Sequence, residues 1–452
     1  MLDIKFIRQN SDKVKEGCQK KQVKIDIDLL LEMDKKRRET LQVLEEMLAQ
    51  KNRASKVIAA TKDEGEEDKS SSSPFAAARV NERQKIILKM QELDKNSDRL
   101  NKNLKEIEKE FNDLMLQIPN LPQGDVPVGK DETGNVVLRK VGEIPEFGFP
   151  PKDYLEIAEK LDLIDIKRAA KISGTRFSFL KKEAALIEFA LINLALENLI
   201  KEKFIPIIPP VMLKEVMARG TGYFEAADSK EAYFIPEDNL YLVGTSEQSL
   251  IAMHSDEILD QIDLPRRYVG FSTCFRRESG SYGKDTKGIL RVHQFDKVEM
   301  ISLCKPEDSK KEHRFLLQME EKLMKSLKIP YQVIQICTGD LGVPAVAKYD
   351  IEAWIPSENR YRETHSTSNC TDFQARRLNI RYRDKFGKLN FVHTLNGTAF
   401  AAGRILIAII ENYQQKDGSV KAPKVLQKYL PFKIINRVPI YMGTRWKRRN
   451  LL

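Results

Sequence analysis

Three observations in the 452 residues predict an α+β protein, an antiparallel sheet flanked by helices and preceded by an antiparallel helical coiled-coil arm. A seven-residue hydrophobic repeat runs through residues 86–118. Short alternating segments recur around 240–247, 267–276, 289–303 and 391–396. Long apolar stretches, Leu180–Lys201 and Ala399–Gln415, read as packed helices. The hydrophobic period is helical in one half and two-residue in much of the other, which indicates two architectures. At roughly 150 residues per domain the length accommodates two or three. We place an N-terminal domain at 1–118 and a second at 119–452, with the linker at about 119–150.

The repeat is regular. Ile86, Leu93, Leu100, Ile107 and Leu114 form one seam, and Met90, Ser97, Leu104, Phe111 and Ile118 form the other. This is the a/d pattern of a coiled coil with one polar place at Ser97. A second seam runs through Met33, Leu41, Leu44, Leu48 and Ile58. Between the two lies TKDEGEEDKSSSSPF, whose charges, serines, glycine and proline break a helix. Two helices joined by such a breaker fold back on each other, and at 1.5 Å per residue the arm projects roughly 45 Å. The rival reading is a coiled coil between two chains. The arm ends in IPNLPQGDVPVGKDETGN, a proline- and glycine-rich linker.

Composition excludes several classes. Hydrophobic residues at 41% and charged residues at 31% fit a soluble globular protein. The apolar run Ile405–Ile410 is far too short to span a bilayer. MLDIKFIRQN carries no apolar core of a secretion signal. Five scattered cysteines contain no CxxC pair, which argues for reduced cytoplasmic thiols and against structural zinc. The net charge of +10 is concentrated at the end: residues 376–452 hold 17 Lys and Arg against 3 Asp and Glu. A polyanionic partner such as nucleic acid fits this distribution, and so does a plain solvated tail.

The richest stretch is CFRRESGSYGKDTKGILRVHQFDKVEM, residues 274–300. On a strand beginning at Arg291, the residues Arg291, His293, Phe295, Lys297 and Glu299 share one face. That face is too polar for a core and suits the floor of a binding site. A hairpin through SGSYGKDTKG brings Arg276 beside it. Arginine offers a donor fork for phosphate or carboxylate, the aromatic ring a plate for a base, and a carboxylate a partner for an ammonium. Together they suit a nucleotide and an amino acid side by side. Thr245 and Glu247, two apart on an expected strand, face the same way. Glu363 and Ser366, three apart, reach one ion if their segment turns.

This stretch resembles motif 2 of class II aminoacyl-tRNA synthetases, in the form of the seryl-tRNA synthetase family. The likeness extends along nearly the whole chain and in order. MLDIKFIRQNSDKVKEG resembles the family's opening, the helical hairpin its tRNA-binding arm, and FIPIIPPVML its motif 1. The TSE at 245–247 resembles the TxE motif, and YRETHSTSNCTDFQARR a further block. NGTAFAAGRILIAIIENYQQKDG resembles motif 3. An ordered set is far more specific than any one motif.

The resemblance implies a ligase that activates L-serine with ATP to seryl-adenylate, releases diphosphate, and transfers the seryl group to tRNA(Ser), with tRNA(Sec) as a further substrate where it exists. It implies that Thr245, Glu247, Glu299, Asn396 and Thr398 bind serine. Arg276 would bind the α-phosphate and fix the serine carboxylate. Glu278 would touch the adenine end, with Val292 beside the nucleotide. Phe295 and Arg404 would sandwich the adenine, and Glu363 and Ser366 would hold Mg²⁺. Arg276, Glu278 and Arg404 are the expected catalytic group, and a C2 homodimer built through motif 1 is expected. The rivals are a ligase that loads a carrier protein and a non-catalytic RNA-binding paralogue. Against the first stand the heptads; against the second, the intact nucleotide-contacting residues. Taken singly, Arg276 and Glu278 would read as a surface ion pair, Phe295 as core, and His293 and His365 as structural. The acidic arm tip is longer than the family's compact turn, and RWKRRNLL suggests an added nucleic-acid contact.

Overall fold

The computed structural model describes residues 1–63, 74–223, 231–279 and 287–436. Most of the expected acidic arm tip, most of the SGSYGKDTKG loop and the RWKRRNLL end lie outside the described residues.

The chain forms two compact units. One comprises residues 3–15 and 24–118. Its long helices are Ile27–Asp63 and Pro74–Gln117. The first starts where Asp26 Oδ1 accepts the Leu29 backbone N–H at 2.9 Å, and the second stops just before Pro119. Lys51 pairs with Asp94 at 2.5 Å and the Arg37 guanidinium lies 4.9 Å over the Phe111 ring. Higher numbers on one helix meet lower numbers on the other, so the hairpin is antiparallel. Leu104, Phe111 and Ile118 are buried on the expected seam. The first helix differs from expectation: Leu48 is 59% exposed. Arg37 and Lys51 stand at seam places, where their charged ends meet Phe111 and Asp94 of the partner helix. Asp34, fully buried, is met by Arg8 at 3.3 Å, Arg38 at 3.1 Å and Arg37 at 3.5 Å.

The other unit comprises residues 1–2, 16–23 and 119–452. Its main sheet has eight strands: β1 (Val136–Val141), β2 (Ile205–Ile207), β3 (Arg266–Phe275), β4 (Gln294–Cys304), β5 (Tyr331–Gln335), β6 (Ala347–Ile355), β7 (Arg360–Asn369) and β8 (His393–Ala401). Their order in space is β1-β5-β6-β7-β8-β4-β3-β2. Every pair is antiparallel except β2 with β3, where the proline-rich FIPIIPP segment adds a short parallel edge. A proline is tolerated there because an edge strand has a row of amides that need no sheet partner. The helices Glu183–Lys201, Ser309–Leu327 and Ala402–Asn412 share one apolar core with the sheet residues Val298, Met300 and Phe400. On the opposite face of β4, Phe295, Lys297 and Glu299 line the cavity, while Ile301 and Leu303 enter a second apolar core. The expected helix from Ala399 begins only at Ala402, because 399–401 complete β8. No helix among the described residues is long and apolar enough to cross a membrane.

Candidate active site

One cavity opens on the polar side of the sheet. Thr245, Glu247, Arg276, Glu278, Val292, Phe295, Glu299, Glu363, Ser366, Asn396, Thr398 and Arg404 all line it. The residues expected from sequence are therefore brought together, although several arrive by routes the sequence reading did not foresee.

Thr245 and Glu247 are not on a strand. The strand there covers only Leu240–Leu242, and Thr245 caps the helix Ser246–Ala252, its Oγ1 accepting the Glu247 N–H at 3.2 Å. Helix geometry, not strand alternation, turns both toward the cavity. Glu363 and Ser366 lie on a continuous strand that does not turn. Ile351 pairs with His365 and Glu352 with Glu363, so Thr364 is an extra, bulged residue. A bulge shifts side-chain alternation by one, which puts positions three apart on the same face. Arg291, Val292 and His293 precede β4 instead of beginning it. His293 Nδ1 faces the Arg276 carbonyl at 3.0 Å and its ring packs near Phe177 and Tyr233. His365 packs against Phe400.

The anionic end of the cavity is buried. Glu247 Oε2 accepts from the Tyr223 hydroxyl at 2.6 Å and Oε1 from Gln374 Nε2 at 2.8 Å. Burial pushes the Glu247 carboxyl up to about 7, and nearby Glu299 adds to the rise. Glu299 Oε2 lies 2.5 Å from Lys297 Nζ and 3.5 Å from the Thr398 hydroxyl. Glu299 and Thr398 are cross-strand partners on β4 and β8, beside a bulge at Ala399. Gly397 next to them is tightly surrounded. A Cβ there would come within 3.2 Å of Met300 and Thr367 and 3.1 Å of Glu320 Oε1.

Cations dominate the other end. Arg276 donates Nε–H to the Gly244 carbonyl at 3.2 Å, and its guanidinium lies 5.3 Å over the Phe295 ring. Arg404, third residue of its helix, is turned instead to Glu363 at 3.0 Å. Burial alone would raise the Glu363 carboxyl, but Arg404, Lys348 and Arg276 outweigh it and hold it low. Burial likewise works against Lys348, yet Asp350 and Glu363 keep its ammonium well above the usual lysine range. Glu278 sits at φ +51°, in the left-handed region that a non-glycine residue enters at a cost, beside Arg291 at 3.4 Å.

Among the lining features not singled out from sequence are Tyr223, Lys348 and the loop Gly342–Ala345. Gln374, which holds Glu247, was missed too. Tyr223 and Gln374 act on Glu247, distant from both in sequence, whereas Lys348 pairs with Asp350 two residues along its own strand at 3.2 Å. Among the described residues no group of three or more His, Cys, Asp or Glu is arranged to hold a metal ion.

Comparison with known proteins identifies the family. Residues 233–413 match the family model of the tRNA synthetase class II core domain (G, H, P, S and T), and residues 1–122 that of the seryl-tRNA synthetase N-terminal domain. The serine–tRNA ligase of Dictyoglomus turgidum is 43% identical over 433 residues, covering 95% of this chain and 98% of its own. This chain belongs to the seryl-tRNA synthetase family. The solved seryl-tRNA synthetase of Pyrococcus horikoshii, complexed with ATP, superposes with a TM-score of 0.85 at 39% identity, covering 97% of this chain and all of its own. The cytoplasmic serine–tRNA ligase of Naegleria fowleri, in complex with AMP, gives 0.80 at 32% identity over 96% of this chain and 98% of its own. The expected class II fold with its helical arm is thus present, and the chemistry of the family is ligation of serine to tRNA.

Proposed function

We propose that the cavity activates serine with ATP and that its two electrostatic ends divide the work. The observation that carries this reading is the grouping of an acidic end, an arginine pair and an aromatic plate around one cavity. Serine's ammonium suits the Glu247 and Glu299 end, and its hydroxyl suits Thr398, with Asn396 and Thr245 closing the pocket. Arg276 meets the α-phosphate and the serine carboxylate. The adenine lies on Phe295 with Arg404 opposite, which requires the Arg276 guanidinium to leave the Phe295 face as the nucleotide enters. Glu278 and Val292 border the base.

The serine carboxylate attacks the α-phosphorus, the bond to the β-phosphate oxygen breaks, and diphosphate leaves. A carboxylate is already a nucleophile, so no general base is required. Positioning and neutralisation of charge lower the barrier. In the second step the 3′-terminal ribose hydroxyl of tRNA attacks the adenylate carbonyl and AMP leaves.

Glu363 and Ser366 fit a Mg²⁺ ion that accompanies ATP. Their oxygens share one face, and the depressed carboxyl of Glu363 stays ionised. Two protein oxygens suit a hard cation that keeps water and phosphate oxygens as its other ligands. When bound, the ion supplies neutralisation of phosphate charge, while Arg404 and Lys348 supply fixed positive charge nearby.

A homodimer through the motif 1 region is supported by its exposed apolar residues, Phe189, Ile205, Ile208, Met212 and Val216. The arm is a charged helical rod suited to reading tRNA shape and backbone. Five free, buried cysteines fit a cytoplasmic setting. The direct test is charging of a tRNA(Ser) transcript with labelled serine. Stable acylation supports the reading, and its absence with an active ATP pool contradicts it.

A further inference from the structure

The loop Gly342–Ala345 lines the active cavity, yet its backbone is held from behind by two residues far away in sequence. Lys21 donates all three of its ammonium hydrogens, to the carbonyls of Gly342 at 2.8 Å, Val343 at 3.1 Å and Ala345 at 2.6 Å. Asn120 donates its side-chain amide to the Pro344 carbonyl at 2.9 Å and the Cys370 carbonyl at 2.8 Å, and its backbone N–H to Val343 at 2.9 Å. Four consecutive carbonyls of one wall therefore accept from two side chains and one amide.

This is a costly way to hold a loop. An ammonium is strongly hydrated, and a buried one normally has a carboxylate beside it. Lys21 is only 7% exposed, and its hydrogens go to carbonyls alone. Burial pushes its pKa down to about 7, opposed among the described residues by Cys370 and Cys18. The arrangement has a consequence inside the cavity. Each of the four carbonyls has a donor in Lys21 or Asn120, which fixes the backbone of the wall. Pro344 packs toward Gly222, whose added Cβ would lie 3.5 Å from it, and Gly222 precedes Tyr223, the donor to Glu247.

We propose that Lys21 is a positioning residue for the amino-acid end of the site, fixing the Gly342–Ala345 wall against which serine is measured. The inference rests on the serine-activation reading above. Losing three bonds from a charged donor frees the wall and leaves its carbonyls to seek partners in the cavity. Serine recognition then suffers more than ATP recognition, because the wall adjoins Tyr223 and Glu247.

The test is serine-dependent ATP–diphosphate exchange by the full-length protein and three variants. Lys21→Met keeps chain length without the donors, Asn120→Ala removes the Pro344 and Cys370 bonds, and Lys20→Met alters a surface pair with Glu16 as control. The KM for serine is expected to rise about tenfold in Lys21→Met while the KM for ATP moves by less than about twofold. Lys20→Met is expected to match the parent. A folded Lys21→Met protein with the parental KM for serine overturns the proposal, and so does an equal rise for both substrates. Should Lys21→Met fail to fold, Asn120→Ala decides: a selective rise in the KM for serine supports the wall, and an unchanged value overturns it. The exchange rate of the parent protein tests the serine-activation reading separately.

Discussion

At the scale of single residues, the site is a set of side chains whose chemistry is set by their neighbours. Phe295 has one face toward the cavity and a guanidinium over it. Stacking a base on an aromatic ring contributes about 1–3 kcal/mol, so Phe295→Ala should raise the KM for ATP by about tenfold or more with the KM for serine little changed. Steady-state diphosphate exchange at varied ATP checks this. Glu247 makes a different prediction. Its carboxyl, pushed up to about 7 by burial and by Glu299, gains charge as pH rises from 6 to 8. An anionic Glu247 holds an ammonium better than a neutral one. The KM for serine should therefore fall across that range, and Glu247→Gln should abolish the trend. These residues were legible in the sequence because each sits in a motif. Tyr223 and Gln374 were not, because their roles depend on meeting Glu247 across the fold, and Lys348 was not, because it acts on Glu363 of the neighbouring strand as well as on nearby Asp350.

At the scale of elements, small irregularities decide which side chains meet. The Thr364 bulge in β7 puts Glu363 and Ser366 on one face. Deleting Thr364 would leave Glu363 and Ser366 two apart and still on one face, so the pairing is tested by removing one of the two oxygens. Ser366→Ala should retain its fold by circular dichroism yet need more Mg²⁺ for diphosphate exchange. An unchanged Mg²⁺ requirement would contradict the pairing of these two oxygens. Such bulges are hard to see in sequence, since they depend on the partner strand. The helix at Thr245 was readable in principle: TSEQ has the spacing of a helix cap three residues before a glutamine. Alternation over 240–247 obscured it. The arm shows the opposite case. Its second helix was plain from its heptads, while the first has a less regular seam because Arg37 and Lys51 put charged groups at two of its places.

At the scale of the whole molecule, composition and motif order were enough to read an antiparallel sheet with a helical arm, and the fold agrees. Assembly is a separate matter. Exposed Phe189, Ile205 and Ile208 leave apolar surface that a partner copy would cover. Light scattering should give twice the chain mass of 52.0 kDa, and Ile208→Glu should shift the protein toward one. The central claim concerns the cavity, and amino-acid-dependent ATP–diphosphate exchange tests it most directly. With serine, threonine, alanine and glycine compared, the account predicts Mg²⁺-dependent exchange with serine alone, since a pocket that bonds the hydroxyl leaves polar groups unpaired with alanine. Exchange driven by another of these amino acids, or by none, would contradict it.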